Sequence, residues 1–175
     1  ATPTTEDPAL AEALAEHASR EAAYVLPVDP LDILGLLGED DARAREAALE
    51  RLGTWTDGEV RRWLREARKH PEVSTRVGAL QAMVALDRED LMSQVRTSMR
   101  DPVDRVRIEA ARTVGALGSG SLITSLARML VDEAPGVRAA VATALAEAHV
   151  RTDARSSGLR LLTAHGEDPD PAVQD

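Results

Sequence analysis

Four arginines stand 31 residues apart, at Arg45, Arg76, Arg107 and Arg138. A spacing kept over three intervals means that one supersecondary unit is repeated along the chain. Other columns keep the same interval. Six residues before each arginine stand Glu39, His70, Asp101 and Asp132; three after it, Ala48, Ala79, Ala110 and Val141; seven after it, Leu52, Met83, Val114 and Leu145. A further set, Val60, Leu91 and Leu122 with Leu64, Val95 and Leu126, repeats between the arginine segments. Each unit therefore holds two elements.

Both elements read as helices. Around each arginine, offsets −1, +3, +4, +7 and +10 form one apolar or small stripe at 3.6 residues per turn. The stripe leaves a permanent cation flanked by apolar residues, as in "DPVDRVRIEAARTVGALG" (Asp101 to Gly118). Breaks fall at "KHPE", "MRDP", "GSGS", "DEAPG" and "GEDPDP", where Pro, Gly and acidic cap residues end or start helices. No stretch alternates with period two. With 43% hydrophobic residues but no Phe, two Trp and one Tyr, the core must be built from Ala, Leu, Val and Ile, which favours closely spaced helices.

These residues resemble the HEAT-repeat family, in particular the short bacterial HEAT-like repeats also found in phycobilisome lyases. The second helix of that family reads D-x-x-P-x-V-R-x-x-A-A-x-A-L-G. "DEAPGVRAAVATAL" (Asp132 to Leu145) fits it closely, the Asp101 to Gly118 stretch nearly so, and "DPDPAVQ" (Asp168 to Gln174) resembles the opening of another copy with Gln174 in the arginine column. The resemblance implies an all-α fold, a right-handed α-solenoid of about four to five antiparallel helix pairs, with the second helices lining its concave side. It also implies a ladder of acid–arginine pairs along the seam between units, so that Arg45, Arg76, Arg107 and Arg138 are structural and Arg107 pairs with Asp101 or Asp132. His70 interrupts the acid column, and the rung expected to suffer is the one at Arg76.

A helix pair cannot bury its apolar face alone, so neighbours must stack and the ends need cover. Residues 1–26 are expected to form a linker and a capping helix, Asp7 to Leu26. Residues 27–175 are expected to hold the repeats, at about 30–53, 57–86, 88–117, 120–149 and an incomplete 153–175, with "PLDILGLLG" as the first helix of the first unit. The chain starts without Met and stops at Asp175 where a helix is opening, leaving Leu159, Leu161 and Leu162 short of cover; it is expected to be a piece of something longer.

Thirty acidic against 21 basic residues give a net charge of −9, which disfavours nucleic acid as a partner. The absence of cysteine excludes disulfides, thiolate metal sites and cysteine nucleophiles. No apolar run approaches the ~20 residues that span a bilayer. The expected compartment is the cytoplasm, or the periplasm or a membrane surface if the first residue marks a trimmed or cleaved end.

No catalytic constellation is visible. His17, His70, His149 and His165 are scattered without metal-ligand spacing, and no metal or cofactor is expected. The glycines of "GALGSGS" follow no strand and read as a helix end. The acids of "EDD" (Glu39 to Asp41) and "DRED" (Asp87 to Asp90) read as helix caps. The basic run "RRWLREARK" (Arg61 to Lys69) reads as the solvated face of an amphipathic helix.

Offsets +1, +5 and +8 point away from the apolar stripe. They place Val77, Ile108 and Val84 where solvent is expected, with Gln81, Glu109, Arg112 and Thr143 around them, and Gly115 in the same column as Val84. Such a patch on a concave face suits another protein. The function expected is a non-enzymatic scaffold or adaptor, binding a partner segment through Val77, Gln81, Val84, Ile108, Glu109, Arg112 and Thr143; Ile108→Glu is expected to abolish capture without loss of stability. The alternative, from the same resemblance, is an enzyme or enzyme subunit like a bilin lyase.

Overall fold

The structure, a computed structural model, describes residues 24–118 and 120–151. Eight α-helices and no strand occur among the described residues. They are α1 (Pro30–Leu37), α2 (Ala42–Leu52), α3 (Asp57–Ala67), α4 (Val73–Ala85), α5 (Met92–Ser98), α6 (Asp104–Leu117), α7 (Ile123–Ala127) and α8 (Pro135–Arg151). Of the expected helix Asp7 to Leu26, residues 7–23 lie outside the described residues and 24–26 are not helical; the expected fifth unit at 153–175 lies outside the described residues, and so do Leu159, Leu161, Leu162 and Gln174.

Local chemistry accounts for the helix ends. Pro30 opens α1 behind Asp29, whose carboxylate accepts from the Leu31 N–H at 2.8 Å. Asp41 accepts from the Arg43 and Ala44 N–H groups and starts α2. Thr56 and Glu59 form a capping box on α3. Gly118, with φ of 66°, ends α6 in the left-handed conformation that a side chain disfavours. The cap expected in "DRED" is absent: the Asp90 carboxylate accepts from Arg88 at 2.8 and 2.9 Å and pairs with Arg61 at 2.6 Å. The first helices α5 and α7 are short, and 3-10 turns at Glu89–Leu91, Gly120–Leu122 and Arg128–Val131 extend them.

The fold is an α-solenoid. Helices α4, α6 and α8 stack side by side, with α3, α5 and α7 as their antiparallel first helices. The repeated columns become the core. Val60, Leu91, Leu122, Leu64, Val95 and Leu126 are all buried, and so are Ala48, Ala79, Ala110, Val141, Leu52, Met83, Val114 and Leu145. Each larger aliphatic side chain of this set contributes about 1.5–3 kcal/mol by leaving water. Small residues set the separation: a Cβ on Gly115 would lie 2.8 Å from Ala144 Cα, so α6 and α8 cross almost backbone to backbone.

The first unit departs from the expected arrangement. Helix α4 packs chiefly on α1, and α2 touches it little. A Cβ on Gly78 would collide with the Leu34 carbonyl, and one on Gly38 with the Ser74 carbonyl, so only glycine permits this crossing. Helix α1 brings Ile33, Leu34 and Leu37 to the core, whereas α2 buries only Ala44, Ala48 and Leu52. The more apolar helix has taken the place beside α4. Leu49, in a column that holds buried Leu80 and Ala111 in later units, is 39% exposed.

Candidate functional site

Two arginines tie consecutive units together. Arg76 donates from Nε and Nη2 to the two carboxylate oxygens of Asp101, at 2.9 and 3.0 Å, and from Nη1 to the His70 and Pro71 carbonyls. Arg107 repeats this with Asp132, at 2.9 Å on both bonds, and with the Asp101 and Pro102 carbonyls. Each aspartate also accepts from a backbone N–H two residues on, Val103 or Ala134, at 3.0 Å. One carboxylate thus shapes its own turn and binds the preceding unit. Hydrogen bonds donated to Asp132 hold the Arg107 guanidinium above its usual range, against burial. Burial would raise the Asp132 carboxyl, but Arg107, the Ala134 N–H and the charge of Arg138 outweigh it and hold it below the usual range. Arg138 donates from Nη1 to the Asp132 and Glu133 carbonyls, keeping the same backbone contact.

This geometry corrects the expected weak rung. The carboxylate partner of each arginine comes from the following unit, 25 residues on, so His70 takes nothing from the Arg76–Asp101 pair. The arginine whose partner position is His70 is Arg45. Arg45 is not a rung: Nη2 donates to the Glu39 carbonyl at 2.6 Å, and Nε is buried without a partner. Because α2 is displaced from α4, this side chain lies in the wall of a groove.

That groove encloses about 550 Å³ between α2, α4 and α6. Leu49 and Arg45 line it from α2; Val77, Gln81 and Val84 from α4; Arg105, Ile108, Glu109 and Arg112 from α6. Val77 is 2% exposed and belongs to the core, forming floor and not exposed surface as the sequence pattern implied. Val84 and Ile108 are half-buried, and Arg112 is exposed. Gly115 does not face this groove, since it carries the α6–α8 crossing. Thr143 lies elsewhere too. It lines a second groove of about 540 Å³ between α6 and α8, which shares Ile108, Arg112 and Ala116 with the first, and its hydroxyl donates to the Ala139 carbonyl.

Polar groups in the first groove are only partly satisfied. Gln81 Oε1 is buried without a partner, as is Arg45 Nε. Burial raises the Glu109 carboxyl above its usual range, although the charges of Arg112 and Arg105 and hydrogen bonds from Gln81 and Arg112 oppose the shift. The Glu109–Arg112 ion pair is loose, at 3.7 Å. Arg105 donates to the Gly38 carbonyl and fastens α6 to the end of α1. Sequence reasoning misses the contributions of α2, Arg45 and Leu49; the apolar Leu49 in a charged helix is the available signal.

The basic run of α3 is largely neutralised at its start. Arg61 pairs with Asp57 and Asp90, Arg62 pairs with Glu66 and lies 4.3 Å from the Trp63 ring centre, and Arg88 joins Asp57 to Asp90. His70 accepts from the Glu72 N–H at 3.3 Å in a turn. Among the described residues no cluster of His, Asp or Glu could hold a metal ion, and no helix is long and apolar enough to cross a membrane.

Comparison with known families completes the picture of the repeat. Residues 96–175 match the family model of HEAT repeats. The matched stretch takes in the end of α5 and all of α6, α7 and α8, so the Arg107–Asp132 rung lies wholly within it. Comparison with curated proteins finds no match. The stacked second helices form the bed, and the displaced first unit converts one side of it into a walled groove.

Proposed function

We propose that this chain is a non-enzymatic interaction module that holds an extended segment of another protein in the groove between α2, α4 and α6. One observation carries the reading. Two polar atoms, the Arg45 Nε donor and the Gln81 Oε1 acceptor, are buried without partners in the lining of a groove that also holds half-buried Val84 and Ile108. Buried groups of this kind carry a desolvation cost of about 1–3 kcal/mol each while unpaired. An extended peptide supplies a carbonyl for the first, a backbone N–H for the second and apolar side chains for the rest.

Repetition builds extended surface, and nothing in the groove pairs a nucleophile with a base. The bilin-lyase alternative rests on the sequence resemblance alone. The test is affinity capture with the full gene product, followed by hydrogen exchange on the purified complex. Protection is expected along α4, α6 and the Arg45–Leu49 face of α2. Protection confined to α3, α5 and α7 would remove the groove from the function.

A further inference from the structure

The seam between α5 and α7, on the side of the first helices, carries a feature separate from the groove. Arg96 and Arg100, four residues apart, and Arg128 at the end of α7 line one pocket of about 180 Å³. Ser125, Met99 and Met129 complete the lining, and no carboxylate is part of it. The three arginines are exposed, and none has an ion-pair or side-chain hydrogen-bond partner among the described residues. Elsewhere Arg61, Arg76, Arg88 and Arg107 all bind carboxylates, in a chain with nine more acids than bases.

Cations near helix C-termini complement the macrodipole, which accounts for one arginine per helix end. It does not account for two at a repulsive four-residue spacing with a third across the seam. The repeat does not demand the third either, because the position 31 residues before Arg128 is Thr97.

We infer that Arg96, Arg100, Arg128 and Ser125 form a binding site for a phosphoryl group. Guanidinium forks match phosphate oxygens bidentately, and the Ser125 hydroxyl adds a donor. Met99 and Met129, both nearly buried, give an apolar edge for the carbon bearing the phosphate. The pocket suits one compact dianion. A long polyanion needs a broad basic face, which a net charge of −9 opposes.

Inorganic phosphate and a phosphoserine side chain share this chemistry, and a titration separates them. The isotope-labelled full chain is followed by amide NMR at constant ionic strength against inorganic phosphate, a short phosphoserine peptide, its unphosphorylated form and oligothymidylate. Shifts are expected at 96–100 and 125–129 with the phosphorylated probes, and Arg100→Gln or Arg128→Gln should raise the apparent Kd at least about tenfold with an unchanged melting point. A response to the phosphopeptide alone supports the site and assigns its ligand to a protein; a response to free phosphate alone supports it with a small-molecule source. A response no greater than to chloride, an equal one to the unphosphorylated peptide, one to oligothymidylate alone, or binding untouched by both variants overturns the inference.

Discussion

Arg107 holds Asp132 through two bonds of 2.9 Å while its third nitrogen holds the carbonyl of Asp101, the residue whose carboxylate is held in turn by Arg76. The chain of contacts runs from the turn before α4, through Asp101, to the turn before α8. Each arginine uses two backbone carbonyls and one carboxylate, so the cations are satisfied although they sit among apolar neighbours. Unit-to-unit stability therefore passes through these residues.

Removing one partner leaves the other buried and charged, the side chains being 10% and 13% exposed. Asp132→Ala should cost about 3–5 kcal/mol in urea unfolding, and Arg107→Met in the same background should recover part of it. With Asp132 intact, Arg107→Lys should also destabilise, because an ammonium cannot span both carboxylate oxygens. Equal stability of Asp132→Ala and wild type would show the rung to be idle.

The two shifted carboxyls act in opposite directions with pH. Asp132 is lowered in the folded state, so its contribution is complete above the ordinary aspartate value near ~4 and is lost as pH falls through the lower folded value. Glu109 is raised, so folding binds its proton more tightly than unfolding does, and stability falls as pH rises from the ordinary glutamate value near ~4 through the raised one. Glu109→Gln should therefore stabilise at neutral pH and lose that advantage in acid. Chemical denaturation at a series of pH values reads both slopes.

Two glycines should respond oppositely to alanine. Gly78→Ala puts a methyl into the Leu34 carbonyl and should cost at least ~2 kcal/mol by separating α1 from α4. Gly58, in the first turn of α3, has nothing within 4 Å of the place its methyl would take, so Gly58→Ala should gain roughly 0.4–1 kcal/mol. Thermal unfolding of the pair distinguishes a steric requirement from a general preference for glycine.

The stack is legible in the sequence because the apolar columns at 31 residues become the core: Val95 and Leu126 are buried, and so are Ala79 and Ala110. Which acid meets which arginine is not, because Arg107 stands 6 residues after Asp101 and 25 before Asp132, and only tertiary packing chooses. The first unit escapes the pattern for a related reason. Arg45 shares the register of the rungs, yet Gly78 stands in a column held by Ala47, Glu109 and Ala140, and together with Gly38 it admits α1 where α2 was expected. The groove walls follow from this displacement. The helical pattern alone puts Ile108 on the surface, but it is half-buried and a Cβ on Gly136 would lie 3.3 Å from its Cδ1, so Ile108→Glu mixes binding with stability.

A cleaner separation uses Leu49 and Val77, which line the same groove with 39% and 2% exposure. Leu49→Glu puts a carboxylate on the wall of α2, where solvent already reaches; its stability change should stay within ~0.5 kcal/mol. Partner capture should nevertheless be lost, because a peptide in the groove would have to desolvate that charge beside Leu37 and Val84. Val77→Ala should do the reverse, costing about 1–3 kcal/mol in stability through the cavity it leaves, with little loss of capture at temperatures where the variant remains folded. Parallel melting curves and capture assays on the two variants decide the matter: if Leu49→Glu still captures the partner at the wild-type level, the segment docks on some other face of the solenoid.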